Sequence, residues 1–172
     1  MIKSKDILLG TWLNYIEQAD STWIEFFEKF TSVGINHFFI HASSKELKHL
    51  LSLTKNLNIN IHGWVWAFNR PNDKKAMKNR NWYSVNKKGE NSYDARPYVD
   101  YYQWLSPFSL GAKSHIKNNI KKISEAKGLA SVHIDYVRYC DVYLPSTLQK
   151  KYKIEQKVVL PEYDYGYHKN GR

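Results

Sequence analysis

Residues 129–139 read Leu-Ala-Ser-Val-His-Ile-Asp-Tyr-Val-Arg-Tyr, a segment in which apolar and polar side chains alternate. Alternation with a period of two is typical of a β-strand, whose successive side chains point to opposite faces of the sheet. His133 and Asp135 therefore share one face, and Tyr136 and Arg138 share the other. A carboxylate at the end of such a strand either caps the next element or pairs with Arg138, or it acts on a ligand. The residues alone leave both interpretations open.

Three earlier segments, at residues 7–13, 35–41 and 58–68, are also predicted to be strands. Between them, apolar residues recur at the spacing of one helical face. The first helix carries Trp23, Phe26, Phe27 and Phe30; the second begins at Ser43 or Ser44 and carries Leu47, Leu50 and Leu51; the third carries Ile116, Ile120 and Ile123. Strands that alternate with helices predict an α/β fold around a parallel sheet.

Two long segments lack sustained periodicity. Residues 69–108 are predicted to form a long loop after the third strand, and residues 140–172 a C-terminal loop with at most one short helix near residues 146–152. Loops this long are usually functional or disordered. We interpret residues 1–172 as one domain of about four β-α units.

Composition narrows the functional classes. A chain of 172 residues has room for about one domain, and its 42% hydrophobic and 15% aromatic residues predict a packed core. The single cysteine, Cys140, excludes an intramolecular disulfide and a cysteine-based zinc finger. The net charge of +10 is compatible with polyanion binding without requiring it. No apolar run has the length of a membrane span or a signal-peptide core, so we expect neither a membrane partner nor export from this chain.

Aromatic residues mark a candidate ligand surface. His62, Trp64 and Trp66 share one face of the third strand, and Arg70 follows it. The long loop adds Trp82, Tyr83, Tyr93, Tyr98, Tyr101, Tyr102 and Trp104. Such rings suit the faces of sugars or nucleic-acid bases, but they also serve to build a core or to anchor a loop. Both interpretations stay open at this point.

The sequence predicts no cofactor and no metal. Neither of the glycine-rich patterns that bind phosphate groups occurs. His41, His62, His133 and Asp135 all lie near predicted strand ends, but they form no recognised metal-ligand spacing.

Four segments together support a family resemblance. They are Gly-Thr-Trp-Leu at residues 10–13, Ile-His-Gly-Trp-Val-Trp-Ala-Phe-Asn-Arg at 61–70, Trp-Tyr-Ser-Val-Asn at 82–86 with Gly-Glu at 89–90, and Val-His-Ile-Asp-Tyr-Val-Arg-Tyr at 132–139. In this order they resemble glycosyl hydrolase family 10-like proteins, which are (β/α)8 barrels related to the α-amylase superfamily. The last segment is the most specific part of the resemblance.

The resemblance implies an activity on O-glycosidic bonds of a carbohydrate. Asp135 corresponds to the fourth-strand aspartate that is the nucleophile of amylase-type enzymes, and His133 stands where those enzymes usually have arginine. The substrate-binding residues that we expect beside it are His62, Trp64, Trp66, Arg70, Trp104 and His133. Relatives of this type are commonly exported, so the compartment stays open.

A complete barrel has eight strands and about 250 residues, so this chain resembles an N-terminal half. The acid/base partner of Asp135 would then come from a later strand, and we expect the chain alone to be inactive. Its open sheet edges would be covered by a complementing C-terminal half or by self-association. The alternatives are a non-catalytic carbohydrate-binding remnant, a basic single-stranded nucleic-acid binder, which we rank low, and a gene fragment without a function of its own.

Overall fold

A computed structural model describes residues 8–171, and their four strands form one parallel sheet in the order β1-β2-β3-β4. The strands are β1 (Gly10–Asn14), β2 (His37–His41), β3 (Asn60–Trp66) and β4 (Ser131–Asp135). This arrangement confirms the predicted α/β class. Ile7, in the strand predicted at 7–13, and Arg172, in the predicted C-terminal loop, lie outside the described residues.

Strand boundaries differ from the predicted ones by up to four residues. The clearest case is β4, predicted over 129–139, which ends at Asp135. Tyr136 has a φ of 52°, a left-handed conformation that breaks the extended backbone. The alternation of apolar residues continues past this point, but the extended conformation of the backbone does not.

Helices follow the first three strands. They are α1 (Asp20–Ser32), α2 (Ser44–Leu53), the one-turn α3 (Lys74–Met77) and α4 (Leu110–Ser124), and α5 (Ser146–Lys151) lies in the predicted C-terminal loop. Ser43 caps α2: its hydroxyl accepts from the Glu46 N–H, while the Glu46 carboxylate accepts from the Ser43 N–H. This reciprocal pair satisfies two N–H groups that a helix start leaves without partners.

Contacts divide the chain into two units. Unit 1 comprises Met1–Val65 and Asn118–Asp135, and unit 2 comprises Trp66–Lys117 and Tyr136–Arg172. The interpretation of residues 1–172 as one domain stays a prediction.

The core of unit 1 lies between the helices and one face of the sheet. The helix residues and sheet residues in it are Trp23, Phe27, Leu47, Leu50 and Ile123, with Phe38, Ile40, Ile61 and Val65. The predicted apolar faces of α1 and α2 are the ones that pack here. Gly63 of β3 also faces this layer, since a Cβ atom built on it would lie 2.5 Å from Ile123 Cγ2 of α4.

Unit 2 is built largely from the segment predicted as a loop. Residues 69–108 contain α3, a 3-10 helix at Arg80–Trp82, and three antiparallel bridges, which are Asn69 to Trp104, Tyr83 to Leu105 and Val85 to Asn91. The buried cluster is Val99, Tyr102, Trp104, Cys140 and Tyr165. Isolated backbone pairs and buried rings organise this segment, and it has the lack of helical or strand periodicity that its sequence shows.

Replacement of Gly63 by Ala is expected to destabilise the protein by about 1–3 kcal/mol, because the added methyl overlaps Ile123 in a close-packed layer. Urea unfolding followed by circular dichroism measures the change. Gly166→Ala is the matched control, since nothing lies within 4 Å of a Cβ at that position, and its effect is expected to stay within about 0.5 kcal/mol. Equal effects of the two substitutions would contradict this account of the core.

Candidate functional site

The face of the sheet opposite the helices of unit 1 is polar and aromatic. Its residues follow from the strand register, which pairs Gly10 with His37, Trp12 with Phe39, and Phe39 with His62, and from alternation along each strand. We call it the histidine face, and its members are Trp12, His37, Phe39, His41, His62, Trp64, Ser131, His133 and Asp135. The helix layer does not cover it, and Trp12 is 53% exposed.

Asp135 and Trp64 meet at the carboxyl end of the histidine face. Trp64 Nε1–H donates to Asp135 Oδ2 over 3.1 Å, and the Trp64 ring lies 5.8 Å from the His41 ring, edge to face. The Asp135 side chain is half-buried. A partly exposed carboxylate, held by an indole N–H and beside aromatic surface, can accept hydrogen bonds from a polar ligand or stabilise a developing positive charge.

The backbone directly after Asp135 is unusual. Tyr136 has a φ of 52°, a value that costs a bulky residue energy unless the surrounding structure holds it there. The Tyr136 carbonyl accepts from the Phe68 N–H over 3.3 Å, and its ring lies 4.9 Å from Trp66. Held backbone conformations of this kind cluster at functional sites, which makes the end of β4 a stronger candidate than its sequence alone does.

His62 lies toward the amino end of the same face, beside other partners. Its Nε2 is 2.9 Å from His37 Nδ1, and its Nδ1 is 2.7 Å from Ser131 Oγ. Burial, and then the nearby charges of His37 and His133, lower the pKa of His62 below its ordinary value of 6.5. His133 lies edge-on to Trp12 and Phe39, with ring centroids 5.9 and 5.2 Å away. Of the predicted site residues in unit 1, Trp64 is hydrogen-bonded to Asp135.

The other predicted site residues belong to unit 2. The Trp66 ring lies 4.9 Å from the Tyr136 ring, tilted by 57°, and 6.4 Å from the Tyr101 ring. Arg70 donates from Nη1 to the Trp66 carbonyl over 2.9 Å and from Nε and Nη2 to Asp73 Oδ2 over 2.9 and 2.7 Å. Arg70 thus anchors α3 rather than standing as an isolated cation.

Trp104 is fully buried, with 0% of its surface exposed, so it presents no face to a sugar in this structure. The expectation that it forms part of a binding wall is corrected: it packs against Tyr102 and Tyr136 in the core of unit 2. Tyr83 and Tyr102 are buried as well. The burial of these three residues supports the interpretation that aromatic residues anchor the loop, and not the one in which they bind a ligand.

Among the described carboxylates of unit 2, Asp73 has the pKa that departs furthest from its ordinary value. Its Oδ2 accepts from Arg70 and, over 2.7 Å, from His115 Nε2, while Oδ1 accepts from the N–H groups of Lys75 and Ala76. Burial alone would raise the pKa of Asp73, but the hydrogen bonds from His115, the Ala76 N–H and Arg70 outweigh it and hold the pKa at about 2. Only 8% of the side chain is exposed.

Sequence reasoning did not single out His37, Ser131 or Asp73. Ser131 lies two residues from His133 and His37 lies four residues from His41, so alternation was the available signal for their face. Their contact with His62 depends on the register of three strands, which alternation does not determine. Asp73 lies in the segment that was predicted to be a loop, where no periodicity marks it.

Within residues 8–171, no group of three or more His, Cys, Asp or Glu side chains is arranged to hold a metal ion. None of the helices in this range has both the length and the apolar character needed to cross a membrane.

Asp73→Asn is expected to lower the free energy of unfolding by about 2 kcal/mol at pH 7, because the substitution removes a buried carboxylate whose pKa falls from 3.8 to about 2 on folding. A carboxylate whose pKa is lowered by folding stabilises the folded state at pH values above its pKa in the unfolded chain. The difference between wild type and variant should therefore persist above about pH 4 and shrink as pH falls toward 2. Urea unfolding at several pH values measures it. The exposed Asp94→Asn is the control, and a difference that did not depend on pH would contradict the assignment.

No protein-family model matches the chain, and no curated protein matches it in sequence.

Proposed function

We propose that this chain is part of a glycoside hydrolase-like (β/α)8 barrel that binds a carbohydrate at the carboxyl end of its sheet. In this proposal Asp135 is the nucleophile, or the carboxylate that stabilises the oxocarbenium-like transition state. Trp64 orients Asp135 through its N–H and offers its ring to the sugar, and His41 and His133 line the same face.

The observation that carries the proposal is the hydrogen bond from Trp64 Nε1 to Asp135 Oδ2. It joins the most specific motif of the sequence to an aromatic residue 71 positions earlier, at the carboxyl end of parallel strands. Enzymes with β/α architecture assemble their catalytic groups at this end. The held conformation of Tyr136 is a second, independent support.

Catalysis on a glycosidic bond needs two carboxyl groups, which in retaining enzymes lie about 5 to 5.5 Å apart. Asp135 is the only carboxylate in the four described strands. In this proposal the acid/base is supplied by another segment or another chain that completes the barrel. The chain by itself then binds carbohydrate without turnover.

The hydrogen bond between Trp64 and Asp135 is equally compatible with a second candidate function, a carbohydrate-binding remnant that never receives an acid/base. Its binding would be indistinguishable from that of the half-barrel, but no completing partner would restore hydrolysis. The nucleic-acid alternative loses support, because Tyr83, Tyr102 and Trp104 are buried and cannot stack on bases.

Calorimetric titration with α- and β-linked oligosaccharides tests the proposal. We expect Trp64→Ala to weaken the binding of the oligosaccharide that wild type prefers by about tenfold or more, because an aromatic platform is lost. Trp64→Phe, which keeps a ring but loses the N–H, should have a smaller effect. Asp135→Asn should weaken binding without unfolding the protein, and reducing-sugar assays should show no hydrolysis by any of these chains.

Two matched controls separate the site from general damage. Trp12→Ala removes an exposed ring from β1 of the histidine face, and Asp20→Asn removes an exposed carboxylate that pairs with His49. Both should bind as wild type does. The proposal fails if no oligosaccharide binds, or if the controls weaken binding as much as the Trp64 and Asp135 variants.

A further inference from the structure

A second cluster on the histidine face lies toward the amino end of the strands and does not include Asp135. It is a chain of three side chains from three neighbouring strands: His37 of β2, His62 of β3 and Ser131 of β4. His37 Nδ1 lies 2.9 Å from His62 Nε2, and His62 Nδ1 lies 2.7 Å from Ser131 Oγ. The two nitrogens of one imidazole are thus occupied by a hydroxyl on one side and a second imidazole on the other.

This order of groups is that of an activated serine nucleophile. A hydroxyl becomes nucleophilic when a neighbouring base can take its proton and a third group orients that base. His62 can serve as the base through Nδ1 if its proton resides on Nε2, where His37 Nδ1 accepts the hydrogen bond. Ser131 is exposed, so a reagent can reach its Oγ, whereas His62 is 8% exposed and protected from water.

Burial of His62, and then the charges around it, keep the imidazole in the neutral form that the reaction needs. Burial, His37 and His133 all lower its pKa, so the imidazole is neutral at pH 7 and has a lone pair for the serine proton. The groups that face it are His37 and Phe39 from β2 and Ser131 and His133 from β4. The ring of Phe39 stacks on it at 4.4 Å between centroids and limits how far the imidazole can rotate.

The three residues line a groove of about 550 Å³ whose other walls are apolar. Leu8, Leu9, Trp12 and Phe39 form those walls, and Leu8 is 72% exposed. A groove of this size holds a short acyl chain, and apolar walls next to a hydroxyl nucleophile favour an ester of an aliphatic acid over a charged substrate.

A backbone N–H group is positioned to stabilise the oxyanion that forms during the reaction. The Ala130 N–H donates to the Ile61 carbonyl over 2.8 Å, and N–H groups alternate in direction along a strand. The Ser131 N–H therefore points away from β3, toward the edge of the sheet that β4 forms. In the chain without a completing half, this N–H can donate to an oxyanion that forms beside Ser131 Oγ.

We propose that Ser131, His62 and His37 form a serine esterase site for short aliphatic acyl esters, separate from the carbohydrate site at Asp135. Ser131 Oγ attacks the ester carbonyl carbon while its proton passes to His62 Nδ1, and the carbonyl electrons move onto oxygen. Collapse of this intermediate breaks the bond to the alkoxy oxygen, which takes the proton from His62. Water then attacks the acyl carbon as it gives a proton to the same nitrogen, and the departing Ser131 Oγ takes that proton back as the acid is released.

Labelling with a fluorophosphonate probe tests the proposal on the full chain, followed by intact mass and peptide mapping. The expected result is one phosphonyl adduct, located on Ser131. Hydrolysis of 4-nitrophenyl butyrate should show an initial burst close to one equivalent of nitrophenol, and kcat/KM should rise with pH to a plateau whose midpoint lies below 6.5, as His62 loses its proton.

Ser131→Ala should abolish both adduct and burst, and His62→Gln should lower kcat/KM on the order of 100-fold, the contribution typical of a general base. Ser32→Ala, at an exposed serine that bonds only a carbonyl in α1, is the control and should behave as wild type. Thermal unfolding by circular dichroism confirms that the variants fold. An adduct on another residue, no adduct on wild type, or unchanged hydrolysis by folded Ser131→Ala would overturn the proposal.

Discussion

The close approach of α4 to β3 at Gly63 determines which face of the sheet is buried in unit 1. A Cβ at this position would lie 2.5 Å from Ile123, so the strand must turn its glycine toward the helix. Side chains alternate along a strand, and His62 and Trp64 are therefore committed to the opposite face. Because the parallel register pairs His62 with Phe39 and Phe39 with Trp12, the side chains of Phe39 and Trp12 lie on that face as well. One contact thus places a row of imidazoles and rings where the helix layer does not cover them.

Parallel sheets usually have apolar residues on both faces, because helices cover both. The histidine face departs from this rule, with an aspartate and four histidines in place of aliphatic residues. Imidazole and carboxylate groups are costly beside apolar surface unless hydrogen bonds satisfy them. Here the satisfied groups lie in two separate sets: Trp64 with Asp135, and His62 with His37 and Ser131. The two sets differ in chemistry, since one centres on a carboxylate and the other on a neutral base.

Short-range pattern predicted the parts of the fold that depend on short-range physics. Alternation found the strands, and helical spacing found α1 and α2 with their buried residues, because both signals report burial directly. Strand ends were harder to predict, since β4 stops at a backbone conformation of Tyr136 that no residue type signals. The pairing within unit 2 could not be predicted for a related reason. Bridges such as Asn69 to Trp104 join single residues 35 positions apart, and isolated pairs produce no periodic pattern in the sequence. Tyr83, Tyr102 and Trp104 of that segment are buried in its core whereas Tyr101 is exposed, and composition cannot separate a buried ring from an exposed one.

The candidate sites show where sequence reasoning stops. Asp135 was identified from its motif, but its partner Trp64 lies 71 residues away and depends on the pairing of β3 with β4. The contact of His62 with both His37 and Ser131 requires the register of three strands at once, because a shift of one residue would turn each side chain to the opposite face. The chemistry of this face is therefore a property of the register. The helix layer enforces that register through contacts such as Gly63 with Ile123, so the packing on one side of the sheet positions the reactive groups on the other.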